Sequence, residues 1–357
     1  MYRLRYQGNL LPPDRQGLVR PVRVDLRGVL GPTKSQARTN AWRSPFRGWH
    51  VPSEVPLTVE QRILEAATLA ATVNGAVTGW AALRWGGATW LDGSTSSDPH
   101  GLPVDIAVAR DLRRRPGIVV CEEGLAPTDC IIVDGIRLTR DVRSVAYALR
   151  YAPDVRDAVR VLDMAAYSDL VSLDEVRAYV GTAPRLGLSA WTGVPQAREA
   201  VALGNENAWS PREVALQLVW VLDAGLPPPL LNQPVFDRCG RHIATPDLLD
   251  LEAGVVAEYN GAVHLNPAAY SRDNLRIERY RDIGLEPLTV VAGDLADTAA
   301  LTDRVHAARR RARWQEPADR AWTIQPPSWW IPTTTVEQRR ALTPSQRLRL
   351  LGHRSVA

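Results

Sequence analysis

Apolar residues recur at helical spacing in several separate stretches of the chain. In "TVEQRILEAATLA", Ile63, Ala66 and Ala70 fall on one face, and Thr58 stands where an N-cap residue belongs. The same spacing predicts further helices over 76–85, 141–152, 154–168 and 172–181. Short apolar runs predict strands at 103–110, 117–123 and 130–139. Residues 57–204 are therefore expected to form a mixed α+β domain.

A different order of patterns follows in residues 205–314. A helix is predicted from Ser210 to Gly225, and a second one ends at Gly284. The predicted order is a helix (211–225), three strands (233–237, 242–250 and 254–260), a helix (270–284), a strand (286–293) and a basic helix (300–314). This order predicts a separate α/β domain with an α-β-β-β-α-β core.

The two ends of the chain carry weaker patterns. Residues 1–56 are rich in Arg, Pro and Gly, with a short helix predicted over 33–38 and a basic, aromatic strand after it. Both a solvated basic arm and a reduced winged helix fit this segment. The tail, 315–357, opens with "QEPADRAWTIQPPSWWIP", whose prolines predict an extended linker. Its end, "TPSQRLRLLGHR", predicts a short amphipathic helix.

Composition narrows the class of protein. A chain of 357 residues is too long for one ordinary core. Its net charge is +4, and Lys34 is the only lysine. No apolar run approaches the ~18 residues of a membrane span, and the start has no apolar signal region. The three cysteines form no CxxC pair. We expect a cytoplasmic protein that does not enter a membrane.

Three carboxylates fall on the first helix and the strands of the 205–314 segment. Glu213 lies in the helix, and Asp247 and Glu258 lie on strands that a turn near 252–254 could pair. Clustered carboxylates raise each other's pKa, and a hard cation such as Mg²⁺ removes that conflict. The pattern therefore predicts a magnesium site. Each acid also has a simpler interpretation: Glu213 completes a capping box with Ser210, and Asp247 follows a proline as turn acids do.

Basic residues follow Glu258 along the chain. His264 could accept a proton from an attacking water, or it could be an ordinary surface histidine. Arg272, Arg276 and Arg279 share one helical face and fit phosphate contacts. Nearby acids make a salt-bridged, exposed helix the competing interpretation. The basic run at 309–313 could extend a nucleic-acid footprint.

Residues from about 209 to 314 resemble the PD-(D/E)xK nuclease superfamily, in particular the small domains related to very-short-patch repair endonucleases. The resemblance rests on Glu213, Asp247, "EYNGAVH" (258–264), "RDNLR" (272–276) and Gly284. It implies hydrolysis of double-stranded DNA with Mg²⁺ or Mn²⁺ as the cofactor. Asp247, Glu258 and the backbone carbonyl of Tyr259 would be the metal ligands. Asn260 stands where the superfamily has lysine and close relatives have aspartate, so that catalytic position carries no charge.

The N-terminal part, with "GLVRPVRV", "GPTKSQAR" and "RGWHVP", resembles the AbiEi-type antitoxin domains of actinobacterial type IV toxin–antitoxin systems. This resemblance implies a winged-helix-like region that binds DNA and a cognate toxin as a partner. Two hypotheses result. The protein is a metal-dependent DNA endonuclease, or it is a non-catalytic DNA-binding antitoxin and transcriptional regulator with a degenerate nuclease domain.

Overall fold

The computed structural model describes residues 15–94, 101–108, 112–113, 115–181, 191–260, 267–352 and 354, and for 267–274 it describes the backbone only. The chain divides into two compact units, Met1–Ala148 and Leu149–Ala357. Both contain helices and sheets, as the predicted α/β class requires. Among the described residues, no helix has the length and hydropathy needed to cross a bilayer.

The basic N-terminal segment forms less helix than a winged helix needs. The helix predicted over 33–38 is a single 3-10 turn, Gln36–Arg38. The strand predicted after it is a hairpin of β1 (Trp42–Phe46) and β2 (Trp49–Pro52). Within the described part of 1–56, no α-helix is present. The reduced winged helix is therefore not confirmed.

The helix predicted after this hairpin is confirmed with its cap. The Thr58 side chain accepts a hydrogen bond from the Gln61 amide at the start of α1. The remaining elements of this unit are α1 (Val59–Ala71), β3 (Ala76–Val77), α2 (Gly79–Gly86), β4 (Val104–Ala107), β5 (Ile118–Cys121), β6 (Cys130–Val133) and β7 (Ile136–Thr139). The strands form a five-stranded sheet in the order β5-β4-β3-β7-β6.

One strand prediction in this unit was wrong. Residues 130–139 form the hairpin β6–β7, in which Val133 pairs with Ile136. Asp134 and Gly135 make the turn with φ of 47° and 76°. A two-residue turn with positive φ at both central residues matches the twist of the flanking strands. The dipeptide Asp-Gly favours this turn. The dipeptide was a turn signal within an otherwise apolar run.

Helices α3 (Asp141–Tyr151), α4 (Val155–Tyr167), α5 (Leu173–Gly181) and α6 (Val194–Leu203) follow. The first three match the predicted segments. Their periodicity is local, so it does not depend on tertiary pairing. Asp154 caps α4 by accepting a hydrogen bond from the Asp157 amide.

The C-terminal unit contains a main sheet of four strands and a smaller sheet of three strands. Its elements are α7 (Pro211–Leu218), β8 (Leu230–Leu231), β9 (Val235–Asp237), β10 (His242–Ala244), β11 (Leu248–Asp250), β12 (Val255–Asn260), α8 (Pro267–Asp282), β13 (Glu286–Val291), α9 (Thr298–Arg311), β14 (Trp322–Thr323), α10 (Val336–Arg340) and α11 (Pro344–Leu351). A π-helical turn, Val219–Asp223, extends α7. The main sheet has the order β13-β12-β11-β8, and a smaller sheet has the order β10-β9-β14.

The predicted run of three strands before α8 is a run of five. The expected strand 242–250 is two strands, β10 and β11, which belong to different sheets. Pro246 lies at the break, because proline has no N–H to continue a ladder. The added strand, β8, pairs Leu231 with Leu248. Two residues are too few to give an alternating pattern, so β8 had no sequence signal.

The tail packs against the C-terminal unit instead of forming an extended linker. Trp322 in β14 pairs with Asp237 of β9 and is 2% exposed. Its indole lies in a core with Val256, Leu249 and Tyr280. Burial of this large ring outweighs the extended preference of the surrounding prolines. The predicted terminal helix is confirmed as α11, which Thr343 caps.

Candidate active site

Two of the predicted carboxylates face each other across neighbouring strands. β11 and β12 are antiparallel, with Leu248 paired to Ala257. One step further along this register, Asp247 lies opposite Glu258. Directly opposed residues of an antiparallel pair project on the same face of the sheet. Val256 and Leu249 lie on this same face of the sheet. Tyr280 of α8 packs against them.

Asp247 is held at the entrance of β11 by the neighbouring strands. Its Oδ2 accepts a hydrogen bond from the Tyr259 amide over 2.6 Å. Its carbonyl accepts one from the Asn232 amide over 3.1 Å, so the ladder from β8 continues through this residue. Burial raises the pKa of Asp247, while the Tyr259 amide and the charge of Arg276 act in the opposite direction.

Glu213 both caps its helix and belongs to the carboxylate group. The Ser210 side chain accepts from the Glu213 amide, and the Ser210 hydroxyl donates to Glu213 Oε1 over 2.9 Å. Oε2 accepts from the Trp209 amide over 2.7 Å and from Asn232 Nδ2 over 2.6 Å. Burial and then the charge of Asp247 raise the pKa of Glu213 to about 7. The capping interpretation is confirmed, while the role of Glu213 in a metal site stays a prediction.

Glu258, the acid within an apolar strand, has two partners on α8. Its Oε1 accepts a hydrogen bond from the Tyr280 hydroxyl over 2.5 Å. Its Oε2 lies 3.5 Å from an Arg276 guanidinium nitrogen. Burial and the charge of Glu258 raise the pKa of Tyr280, which keeps the phenol protonated as a donor. These contacts compensate a carboxylate that is only 9% exposed.

The other predicted residues are distributed around this centre. Tyr259 and Asn260 complete β12, opposite Val290 and Val291 of β13. Arg279 is exposed on α8. Arg272 lies on the α8 backbone, with its side chain undescribed, and His264 lies outside the described residues. The geometry therefore joins Glu213, Asp247, Glu258 and Arg276.

Sequence reasoning missed Asn232, which joins the acids from the edge strand. The register that pairs Leu231 with Leu248 sets Asn232 opposite Asp247. Its amide nitrogen bonds Glu213, and its φ is 45°, a left-handed conformation that asparagine tolerates. Its Oδ1 is buried and has no hydrogen-bond partner among the described residues. The available signal was an asparagine at the end of "LLN", between the prolines at 227–229 and Pro234.

Arginines of the basic run, which begins in the last turn of α9, bond acidic side chains within the protein. Arg309 bonds Asp250 over 2.7 Å and Glu252 over 2.8 Å. Arg311 bonds Glu286 over 2.7 Å. Two of its cations are therefore paired with acids within the protein, and the nucleic-acid footprint of this run stays a prediction.

The donor set of the site fits a hard divalent cation. Carboxylate oxygens of Asp247 and Glu258, the Tyr259 carbonyl and the unpartnered Asn232 Oδ1 are all oxygen donors, which Mg²⁺ prefers. A cation would also favour the ionised forms of Asp247 and Glu213, whose pKa values are raised. In the described part of the chain, no group of three His, Cys, Asp or Glu side chains is spaced to hold a metal. Waters or substrate oxygens would complete the shell, as is usual for Mg²⁺.

No protein-family model, curated protein or solved structure matches this chain. The functional assignment therefore depends on the geometry of the site and on the motif resemblance.

Proposed function

We propose that the C-terminal unit hydrolyses phosphodiester bonds in double-stranded DNA, with Mg²⁺ or Mn²⁺ bound between Asp247 and Glu258. One observation carries the proposal: the two carboxylates oppose each other on one sheet face, beside a third acid. Burial and the charge of Asp247 raise the pKa of that acid, Glu213. A protein keeps mutually repelling acids together where a cation or a proton transfer uses them.

The cation would lower the pKa of a coordinated water and stabilise charge on the phosphate. The Tyr259 amide fixes one oxygen of Asp247 over 2.6 Å, which limits the orientations of this carboxylate. Glu213, with a pKa of about 7, is suited to accept a proton near neutral pH. His264 remains a second candidate for the base.

Substrate binding is assigned to the exposed arginines of α8. Arg276 and Arg279 are both exposed. Arg276 already lies 3.5 Å from Glu258, so a phosphate held by it would be beside the two facing acids. Arginine suits this role because its planar donors match phosphate oxygens. Arg272 was predicted to share this role from its spacing, and its side chain lies outside the described residues.

The direct test is nicking of supercoiled plasmid with Mg²⁺ or Mn²⁺. Asp247→Asn and Glu258→Gln should each reduce cleavage by about 100-fold or more, because even outer-shell partners of a metal contribute 10- to 100-fold. Glu278→Gln, an exposed acid on α8, is the matched control and should cleave as wild type does. Circular dichroism checks folding. Equal cleavage by folded Asp247→Asn and wild-type protein would refute the mechanism.

A second function is favoured by the contacts of Glu258. Both of its oxygens have protein partners, Tyr280 and Arg276, so the carboxylate is compensated without a metal. Asn260 also brings no charge where the superfamily has lysine. A non-catalytic DNA-binding antitoxin with a nuclease-like scaffold would have such a site. Mobility shifts distinguish the two: the regulator binds one operator without Mg²⁺ and never nicks it.

A further inference from the structure

Arg276 lies where its charge acts on both of the facing acids. Its Nη2 is 3.5 Å from Glu258 Oε2. Burial raises the pKa of Asp247 and the charge of Arg276 acts in the opposite direction, so the guanidinium also lies near this acid. The Arg276 side chain is 44% exposed and that of Glu258 is 12% exposed. Arg276 therefore joins a buried carboxylate to the surface of α8.

The two oxygens of Glu258 are held by contacts of different length. Oε1 accepts the Tyr280 hydroxyl over 2.5 Å, and both residues are buried. Oε2 lies 3.5 Å from Arg276, which is longer than an ordinary charge-assisted hydrogen bond of about 2.7–2.9 Å. The contact with Arg276 is the longer and more exposed of the two, so it is the one more easily exchanged.

The Arg276 guanidinium and a divalent cation would compete for the same acids. Mg²⁺ binds carboxylate oxygens directly, at about 2.0–2.1 Å. A guanidinium beside Glu258 and Asp247 sets a positive charge close to any ion that these acids hold. Like charges at such a separation repel each other. Arg276 therefore lowers the affinity of the two acids for a cation as long as it stays beside them.

A DNA phosphate would offer Arg276 a better partner. Arginine can bind a phosphate through two parallel charge-assisted hydrogen bonds, which a single 3.5 Å contact does not match. The side chain is long and partly exposed, and such side chains change rotamer without movement of the backbone. Its departure would remove a cation from beside a buried carboxylate, which increases the attraction of that carboxylate for a metal ion.

We propose that Arg276 couples DNA binding to metal binding: it stays beside Glu258 in the free protein and moves to a backbone phosphate when DNA binds, which strengthens the binding of the divalent cation. The inference rests on the proposed function, because the metal site is that of the nuclease. Coupling of this kind is reciprocal, so DNA raises the metal affinity by the same factor as the metal raises the DNA affinity. The cation is then held most tightly when a substrate is present.

The first measurement is the affinity for Mn²⁺ without DNA, by isothermal titration calorimetry at one pH. Arg276→Gln and Arg276→Met both remove the competing charge, and the methionine also lacks an amide that could still bond the acid. Arg281→Gln removes an equal charge from an exposed position of the same helix and is the matched control. Glu258→Gln tests whether the ion binds at the acids. Circular dichroism checks the folding of every variant.

We expect both neutral variants of Arg276 to bind Mn²⁺ about fivefold more tightly than wild type or better, the lower end of common coupling between sites. Arg281→Gln should bind as wild type does, and Glu258→Gln should lose binding. Unchanged or weaker binding by the Arg276 variants would overturn the proposal. So would an equal gain in Arg281→Gln, or binding that survives in Glu258→Gln.

The second measurement is the affinity for a labelled duplex, by fluorescence anisotropy with and without Ca²⁺, another hard cation with oxygen ligands. Gel electrophoresis confirms that the duplex stays intact. Ca²⁺ should tighten DNA binding by a larger factor in wild type and Arg281→Gln than in Arg276→Gln, because that variant has no contact to release. The same factor in all three proteins would overturn the coupling.

Plasmid cleavage by the same proteins separates this inference from the proposed function. If wild-type protein binds Mn²⁺ but never cleaves, the nuclease proposal fails while the affinities still decide the role of Arg276. If wild-type protein cleaves and the Arg276 variants bind Mn²⁺ no more tightly, only the coupling fails. If neither wild type nor the Arg276 variants bind the ion, both proposals fail.

Discussion

The Tyr280 hydroxyl donates a hydrogen bond to Glu258 across 2.5 Å, from a helix that also brings Arg276 to within 3.5 Å of the same carboxylate. Tyr280 and Arg276 are four positions apart, so they share one face of α8. This pair explains how a glutamate is accommodated among "VVA" in an apolar strand. Tyr280 and Arg276 of α8 compensate the charge of Glu258. Asp247 lies on the same sheet face as Glu258.

Tyr280→Phe should reduce the free energy of unfolding by about 1–3 kcal/mol. The substitution leaves a buried carboxylate without one hydrogen bond and changes the packing little. Urea unfolding at pH 7 measures the loss. Tyr259→Phe is the control, because Tyr259 is only partly buried and its backbone makes the known contact with Asp247. An unchanged stability in Tyr280→Phe would contradict the assigned role of the hydroxyl.

Glu213 should make the protein less stable as pH rises. Its pKa is about 7 when folded and 4.5 in an ordinary environment. A raised pKa means that its full contribution to stability is present below about pH 4.5 and is lost as pH rises through 7. The loss is on the order of 3 kcal/mol, since each unit of pKa difference corresponds to about 1.4 kcal/mol.

Unfolding curves between pH 5 and 8 measure this loss of stability. Glu213→Gln should remove the part of the slope that Glu213 contributes, although its amide donors clash with those of Trp209 and Asn232 and lower the stability at every pH. A slope that survives the substitution intact would assign the pH dependence to other groups.

Local patterns predicted much of this fold. Helical periodicity and caps such as Thr58 act within one turn, so α1 and α3 to α5 were found from their own residues. The pairing of Asp247 with Glu258 was also accessible, because a short turn joins their strands. What failed depended on distant contacts. β8 exists because Leu231 pairs with Leu248, and β14 exists because Trp322 enters a core made elsewhere.

The candidate site divides in the same way. Its acids were named from a motif, but the groups that hydrogen-bond them belong to no motif. Tyr280 was one of several apolar positions on α8, and Asn232 is defined by its partner Glu213, 19 positions earlier. Arg354 bonds Asn207, 147 positions earlier, while Arg339 and Arg347 bond Asp169. No local pattern encodes such long-range hydrogen bonds.

Magnesium should raise the melting temperature of the wild-type protein. A ligand that binds only the folded state stabilises it by about 2.7 kcal/mol at 100 times its Kd. The shift should be larger at pH 8 than at pH 5.5, since burial raises the pKa of both Asp247 and Glu213 and protons compete with the cation. Differential scanning fluorimetry checks this. Asp247→Asn should abolish the shift and Glu278→Gln should keep it; an equal shift in both would place the ion elsewhere.

Substitution of Arg276 should weaken DNA binding, whereas substitution of Arg309 should lower stability. Arg276 is exposed on α8, so Arg276→Ala should weaken DNA binding and reduce the salt slope by about one ion. Arg309 bonds Asp250 and Glu252 within the protein. Arg309→Ala should instead lower the free energy of unfolding, on the order of 2 kcal/mol, because it leaves the buried Asp250 carboxylate with two backbone amides but no cation.

Fluorescence anisotropy of labelled duplex DNA at several salt concentrations gives the slopes, and urea unfolding gives the stabilities. The two variants remove the same charge, so a general loss of positive potential would weaken DNA binding equally in both. A normal salt slope in Arg276→Ala would remove Arg276 from the DNA interface. A steep loss of binding in a stable Arg309→Ala protein would restore the basic run of α9 to it.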